Sequence, residues 1–387
     1  AGVPWTLMVN AEPRLVDTRV LDVAITVLPD APVDPATGLP VPTIAVATAG
    51  GVSVIKDDGT VVSDSALFFA SHGTVYNCYI FGEKLYVTSW NGGQQHNLGV
   101  LDIRTLAELY RYTAFPSLYT SPTPFNNQNL TEISYGSGQV FIGTGSGSAL
   151  TPKGVGVIAE NISAPTKGMS ALLTSTYNTG WMPGSIKGAF LSDTDDTDLV
   201  GGTDADRSVN ANPLTVNGTI TRTPVADGAD LVAYSGFSAS NYLEGTDASY
   251  VDTLYALGWE QTGGVWEFKH GVVSTAPIDG LTITGTTLKI AGTKPKALIR
   301  LTATRPSAEQ LAKIEADEGA LFQENAACTL YGASDAVTAL AHDPDTGLLH
   351  VGTSDGRSVF QGLRRVDNTT DAVTTAISAH NGLVVDQ

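Results

Sequence analysis

Two cysteines, Cys78 and Cys328, are all that the 387 residues contain. That is too few for a disulfide framework, and a buried free thiol is the expected state of each. Basic residues are also scarce, with 21 Lys and Arg against 39 Asp and Glu and a formal charge of -18. Such a surface keeps the chain soluble by self-repulsion and repels polyanions, which argues against nucleic acid as a partner. No apolar run approaches the roughly 20 residues needed to span a bilayer. The six histidines are scattered, with no H-E-x-x-H and no His/Cys cluster of zinc-binding spacing. The chain begins at Ala1 and not at Met, which leaves a leader or an upstream domain open.

What the sequence does have is glycine, 41 residues of it, much threonine and a hydrophobic fraction of 42%. That composition suits a turn-rich all-β chain with a sizeable core. The stretch "HDPDTGLLHVGTSDG" ends in Gly352-Thr353-Ser354-Asp355-Gly356, which fits the G-x-S-x-G pattern of a serine-hydrolase nucleophile elbow. An elbow needs a helix behind the serine. The run behind this one, Arg357 to Leu363, is β-favouring, so the spacing predicts a hairpin and not a nucleophile.

The same stretch recurs. Asp34-Pro35-Ala36-Thr37-Gly38-Leu39 and the strand-turn-strand after it parallel Asp343-Pro344-Asp345-Thr346-Gly347-Leu348 and its successor. Related units run from Lys84 to Asp102 and from Gln139 to Ile158. Four copies at a spacing of about 40 to 50 residues, each with several short strands, are the signature of β-propeller blades. The units are expected at about residues 18–64, 72–113, 130–176 and from 336 onward. A further unit is expected to begin at Gly184-Ser185-Ile186 and to be interrupted. The tail after 371 supplies two strands, which the N-terminal Trp5–Val9 and Arg14–Val16 would complete by closing the ring. Five or six blades result.

Residues 193–303 lose the blade spacing and read as an inserted small β-sandwich. Asn217-Gly218 lies between two alternating runs and predicts a hairpin. Between Glu244 and Pro277 the insert reads as abbreviated. One helix is expected within 304–326, where Ser307 and Gln310 have capping-box spacing, Glu309 and Lys313 are an i,i+4 pair, and Leu311, Ile314, Leu321 and Phe322 form the apolar stripe. The organisation expected is therefore a propeller over 1–192, the insert over 193–303, a connecting helix over 304–326 and a closing propeller part over 327–387.

The stretches "ATAGGVSVIKDDGTVV", "YNTGWMPGSIKGAFLSDT", "LTVNGTITRTPVADGADLVAYSGFSASNYLE" and "RPSAEQLAKIEADEGALFQENAACTLYGASDAVTALAHDPDTGLLHVGTS" together resemble the tail-fibre or tail-tip proteins of tailed bacteriophages. The resemblance covers most of the chain. It implies a propeller carrying a concanavalin-A-like, laminin-G-like insert, located in the virion tail outside the cell. It further implies a non-enzymatic role in recognising and attaching to the host surface. The implied partners are other virion tail proteins and a host surface glycan or outer-membrane receptor, with a homo-oligomer, a trimer, as the assembly.

Sugar recognition needs aromatic faces beside polar groups, and the candidates are Trp90, Asn91, Gln94 and Gln95 in one loop, Trp181 in "YNTGWMPG", and Trp266. For each tryptophan the competing role is core packing, which is also the expectation for Trp259. Six aspartates crowd Asp193 to Arg207, but the spacing lacks the glycine and glutamate of an EF-hand loop, so a solvated acidic linker is expected there in place of a calcium site. Gly143, Gly145 and Gly147 have no helix and no Lys-Ser/Thr pair behind them, so they do not form a phosphate loop. No cofactor, metal ligand or catalytic residue is assigned. Two other roles stay open: a structural connector between tail proteins, and a polysaccharide-degrading enzyme whose paired carboxylates are not visible in sequence.

Overall fold

The computed structural model describes residues 14–64, 73–90, 96–111, 128–147, 153–161, 168–208 and 210–370. Across these the chain is all-β, built from antiparallel sheets, with one α-helix among the described residues. Its described residues divide into two compact units, the first holding those of 14–90 and 99–109, the second those of 96–98 and 110–370.

In the first unit, strands β1 (Val20–Thr26), β2 (Thr43–Thr48), β3 (Gly51–Ile55) and β4 (Val61–Asp64) pair in sequence order. A second meander comes next in β5 (Thr74–Phe81), β6 (Lys84–Trp90), β7 (His96–Asp102) and β8 (Glu108–Arg111). Ala24, Ala45 and Val52 from one sheet share a core with Val75, Leu85 and Leu101 from the other. Cys78 is buried and free, as expected, and burial pushes its thiol pKa well up.

The second unit opens with β9 (Gln128–Gly136), β10 (Gln139–Gly147), β11 (Gly154–Ala159), β12 (Met169–Leu173) and β13 (Met182–Pro183), again paired in order. Gly143, Gly145 and Gly147 lie within β10, an extended strand and not a phosphate-binding turn.

The next twelve strands are β14 (Ile186–Phe190), β15 (Leu199–Val200), β16 (Thr203–Asp204), β17 (Leu214–Asn217), β18 (Thr219–Pro224), β19 (Val232–Ser235), β20 (Tyr242–Thr246), β21 (Tyr255–Thr262), β22 (Val265–Val272), β23 (Leu281–Thr284), β24 (Thr287–Ile290) and β25 (Lys296–Thr302). A seven-stranded sheet runs β15-β18-β19-β25-β21-β22 with β14 also on β25, and a five-stranded sheet runs β16-β17-β20-β24-β23. Ile220, Tyr234, Ile299 and Leu301 from the first meet Val216, Leu243, Leu281 and Leu288 from the second in one buried core, so the two sheets form two layers.

Three expectations change here. The strand Ile186–Phe190, expected to open an interrupted blade, pairs instead with β25, so the two-layer region begins before residue 193. The Asn217-Gly218 turn is not a hairpin: β17 belongs to the five-stranded sheet and β18 to the seven-stranded one. Gly218, at φ +71°, turns the chain from one layer into the other, and Gly201 and Gly202 do the same between β15 and β16. Local alternation signals a reversal but does not say which sheet receives the next strand. The stretch from Glu244 to Pro277 is not abbreviated either, since it holds the two eight-residue strands β21 and β22, joined through Gly263 and Gly264.

Helix α1 (Ala308–Gly319) starts at Ser307 with the expected capping box, in which the Ser307 hydroxyl accepts from the Gln310 N–H and the Gln310 side chain accepts from the Ser307 N–H. A cap of this kind stabilises a helix by about 1 kcal/mol. Ile314 and Leu321 are fully buried against the outer face of the seven-stranded sheet, with Leu311 and Phe322 partly buried beside them. Lys313 pairs with Asp317 at 2.8 Å and not with Glu309 as expected, so it interacts with the turn after it.

The last described meander is β26 (Val337–His342), β27 (Leu349–Thr353), β28 (Arg357–Gln361) and β29 (Arg364–Thr369). Ser354 sits exposed in the β27-β28 turn, where the Thr353 N–H donates to Gly356 O at 2.9 Å and the next element is a strand. The hydrolase-elbow geometry is absent there, as the β-favouring run behind Ser354 implied. The expected pairing of the two chain ends lies outside the described residues, apart from Arg14–Val16. Among the described residues no helix is long and apolar enough to cross a membrane.

Candidate functional site

Strand β22 reads V-W-E-F-K-H-G-V, and its period of two places Trp266, Phe268 and His270 on one face. Antiparallel register with β21 sets Trp259 directly opposite Phe268 and Tyr255 diagonal to His270. The rings meet accordingly, at 5.5 Å between Trp259 and Phe268, 5.3 Å between Phe268 and His270, and 6.0 Å between Tyr255 and His270. Phe322, carried in by the short turn after α1, stacks 4.5 Å from Trp259 and packs 4.8 Å from Trp266.

The result is a continuous aromatic row from Trp266 through Phe322, Trp259, Phe268 and His270 to Tyr255. It has an inner and an outer side. Trp259 is 5% exposed and belongs to the core, as expected of it, whereas Trp266 and Phe268 are half-buried and His270 is exposed. Polar groups orient the row. Trp266 Nε1 donates to Val225 O at 2.9 Å, Tyr255 Oη lies 2.8 Å from His270 Nδ1, and the exposed Arg305 guanidinium sits 5.9 Å from the Tyr255 ring. Arg305 also lines a cleft of about 110 Å³ with Pro183, Thr304, Ser307 and Gln310. Half-buried Trp266 and Phe268 beside the exposed His270 imidazole suit stacking on the apolar face of a sugar ring, with Arg305 at the buried Tyr255 end of the row.

The sequence candidates divide. Trp266 is part of this row. Trp181 is not: it is 0% exposed, with Nε1 donating to Asp317 at 2.8 Å, so its ring has no free face to offer a ligand. It is drawn inward because its backbone N–H donates to the buried Glu318 carboxylate at 2.7 Å. The Trp90 side chain and residues Asn91, Gln94 and Gln95 lie outside the described residues. Phe268 and His270 were missed in sequence although their alternation with Trp266 was visible, whereas nothing local signalled that Phe322 would reach them.

The aspartate-rich stretch also departs from expectation. It is solvated only in part, since Asp195, Asp196 and Asp198 are exposed while Asp204 and Asp206 are buried. Asp193 pairs with Arg207 at 3.0 Å and lies 3.7 Å from Arg222, which pairs with Asp195 at 3.0 Å. Asp206 is buried and accepts from the Ala189, Ser208 and Asn212 N–H groups. Asp204 is buried as well; burial, reinforced by the Asp193 charge, pushes its carboxyl up to about 6. Asp193 is thus taken by arginines and Asp206 by backbone donors, and among the described residues no group of three or more His, Cys, Asp or Glu is placed to hold a metal ion.

Fold and site together define a multi-sheet all-β protein with an aromatic row on the outer face of a two-layer region. No family model matches the chain, and no curated protein matches it. Among solved structures, an exo-β-1,3-galactanase from Phanerochaete chrysosporium with galactose aligns over 69% of this chain and 76% of its own, at 9% identity and a TM-score of 0.20. A variant of that enzyme with β-1,3-galactotriose aligns over the same shares at 10% identity and a TM-score of 0.20. A likeness of that size carries no weight for fold or activity.

Proposed function

We propose that this chain is a non-enzymatic tail-fibre or tail-tip component of a bacteriophage virion, and that it contributes to host attachment by binding a surface glycan. The observation that carries the glycan part is the outer side of the row, where Trp266 and Phe268 are half-buried and His270 is exposed. In this reading the sequential meanders β1–β4, β5–β8, β9–β13 and β26–β29 are blades of a propeller of five or six blades. The two-layer region is a lectin-like sandwich spliced between blades, and the assembly is a homo-oligomer, a trimer, among other tail proteins. Attachment by stacking needs rigid rings held at fixed spacing, and the register of β21 and β22 supplies it.

The test is retention of the purified protein on host cells, in competition with isolated surface polysaccharide. Saturable binding that the polysaccharide blocks, with no reducing ends released on incubation, supports the proposal. Uniform failure to bind points to the connector role, and release of reducing ends points to a polysaccharide-degrading enzyme.

A further inference from the structure

Strand β22 ends one side of the seven-stranded sheet, and among the described residues no strand pairs with its outer edge. The edge is long. It runs eight residues from Val265 to Val272, and Val265, Glu267 and His270 are exposed along it. An open edge of this length presents backbone N–H and C=O groups that a further strand can pair. Charged side chains commonly guard such an edge, and charges of one sign repel a second copy of the same edge. Strand β22 carries one of each sign, Glu267 and Lys269.

These two lie on the face of β22 opposite to Trp266, Phe268 and His270. In the single chain they pair with each other at 2.7 Å, with the Glu267 side chain 45% and the Lys269 side chain 34% exposed. Because side chains alternate between faces, two copies of β22 that pair antiparallel about a two-fold axis must be centred on one residue. Charge selects which. Centring on Glu267 sets two glutamates directly opposite each other, and centring on Lys269 does the same with two lysines, both unfavourable. Centres nearer either end shorten the ladder. Centring on Phe268 sets Glu267 opposite Lys269 of the second copy, and Lys269 opposite its Glu267. On the other face Phe268 then meets Phe268 of the second copy and Trp266 meets its His270, so the two aromatic rows join.

We propose that β22 is the contact through which two copies of this chain associate, each adding its edge to the other's seven-stranded sheet in the register centred on Phe268. Such a contact is isologous, closes on itself and leaves neither edge open. The chain's formal charge of -18 opposes association in general, but β22, with one acid and one base, adds no net repulsion. The contact does not rest on the phage-tail reading. Where that threefold assembly forms as well, the same edge joins two trimers into a hexamer.

The experiment is sedimentation velocity on the purified full chain over a dilution series. The expected result is an even-numbered assembly at the higher concentrations, a dimer or a hexamer. Glu267→Lys and Lys269→Glu each set like charges opposite one another, so each should halve the sedimenting mass with an unchanged circular dichroism spectrum. Mixing the two variants in equal amounts should restore the assembly, because every new charge then faces its opposite on the other chain. A wild-type chain that is monomeric or trimeric at every concentration overturns the proposal, and the trimer would leave the phage-tail reading standing. An even-numbered assembly that both variants keep, or that mixing fails to restore, also overturns it, because the contact then lies elsewhere.

Discussion

Both carboxylate oxygens of Glu318 accept from the guanidinium of Arg300, at 2.8 and 3.0 Å, and neither side chain has any exposed surface. The Trp181 N–H and Trp259 Nε1–H complete the set at 2.7 and 2.8 Å, so α1, β25, β21 and the turn before β13 meet on one carboxylate. Removing only the acid leaves a buried, unpaired guanidinium. Glu318→Ala is therefore expected to destabilise the chain by about 3–5 kcal/mol. Urea unfolding followed by tryptophan fluorescence should show the lower midpoint, and a midpoint near that of the wild type would refute a structural role for the pair.

Gly180 lies against the same pair. Its φ is +64°, and an added Cβ would come within 2.3 Å of Arg300 Nη1 and 2.6 Å of Glu318 Oε1. Neither neighbour has room to yield, because each is locked by the other. Left-handed strain and overpacking together should cost Gly180→Ala about 2–4 kcal/mol. In a double-variant comparison the costs of Gly180→Ala and Glu318→Ala should be strongly non-additive, since both act on one network. Simple additivity in that cycle would separate the glycine from the ion pair.

Asp204 makes stability depend on pH in an unusual direction. Its carboxyl is held at about 6, mainly by burial, against an ordinary value of 3.8. Between these values the folded state binds the proton more tightly than the unfolded chain, so stability falls as pH rises through that window. Ionised Asp204 costs the folded state on the order of 3 kcal/mol above pH 6. Oδ2 is buried without a hydrogen-bond partner, while Oδ1 accepts from Tyr234 Oη at 3.2 Å. Asp204→Asn keeps the acceptor and removes the charge, so it should raise the melting temperature at pH 7 and change little at pH 4. Equal effects at both pH values would count against this assignment.

Under the proposed function, Trp266→Ala should weaken retention on host polysaccharide by about tenfold, the loss expected for one aromatic stacking contact. His270→Ala should also weaken it, at a smaller cost in stability, because His270 is exposed whereas Trp266 is half-buried. Binding isotherms at matched folded fraction separate the two effects. Unchanged affinity in both variants would move the site away from β22.

Part of the candidate site was open to inspection in the linear chain. Trp266, Phe268 and His270 alternate with charged residues, and the period of a strand alone puts them on one face. Trp181 shows where such inspection stops: its neighbours Gly180 and Met182 give no hint that its amide would be claimed by Glu318, 137 residues away. Glu318 itself was less hidden, since it continues the helical spacing of Leu311, Ile314 and Leu321 and so stands on the buried stripe of α1. Its partner Arg300 carries no matching signal, because β25 is buried on both faces, where alternation between polar and apolar residues no longer reports orientation.

Sequence alone determined the all-β character, the recurring meanders, the capped helix and the free buried state of Cys78 and Cys328, because each depends on periods, turn residues and composition that act over a few neighbours. Tertiary structure decided that Asn217-Gly218 crosses between layers, that Ile186–Phe190 joins β25, that Asp193 is claimed by arginines and Asp206 by backbone donors, and that Phe322 completes the aromatic row. Those outcomes turn on which distant strands share a core. Burying apolar surface rewards any arrangement that pairs the right faces, and nothing within a short stretch of chain specifies its partner.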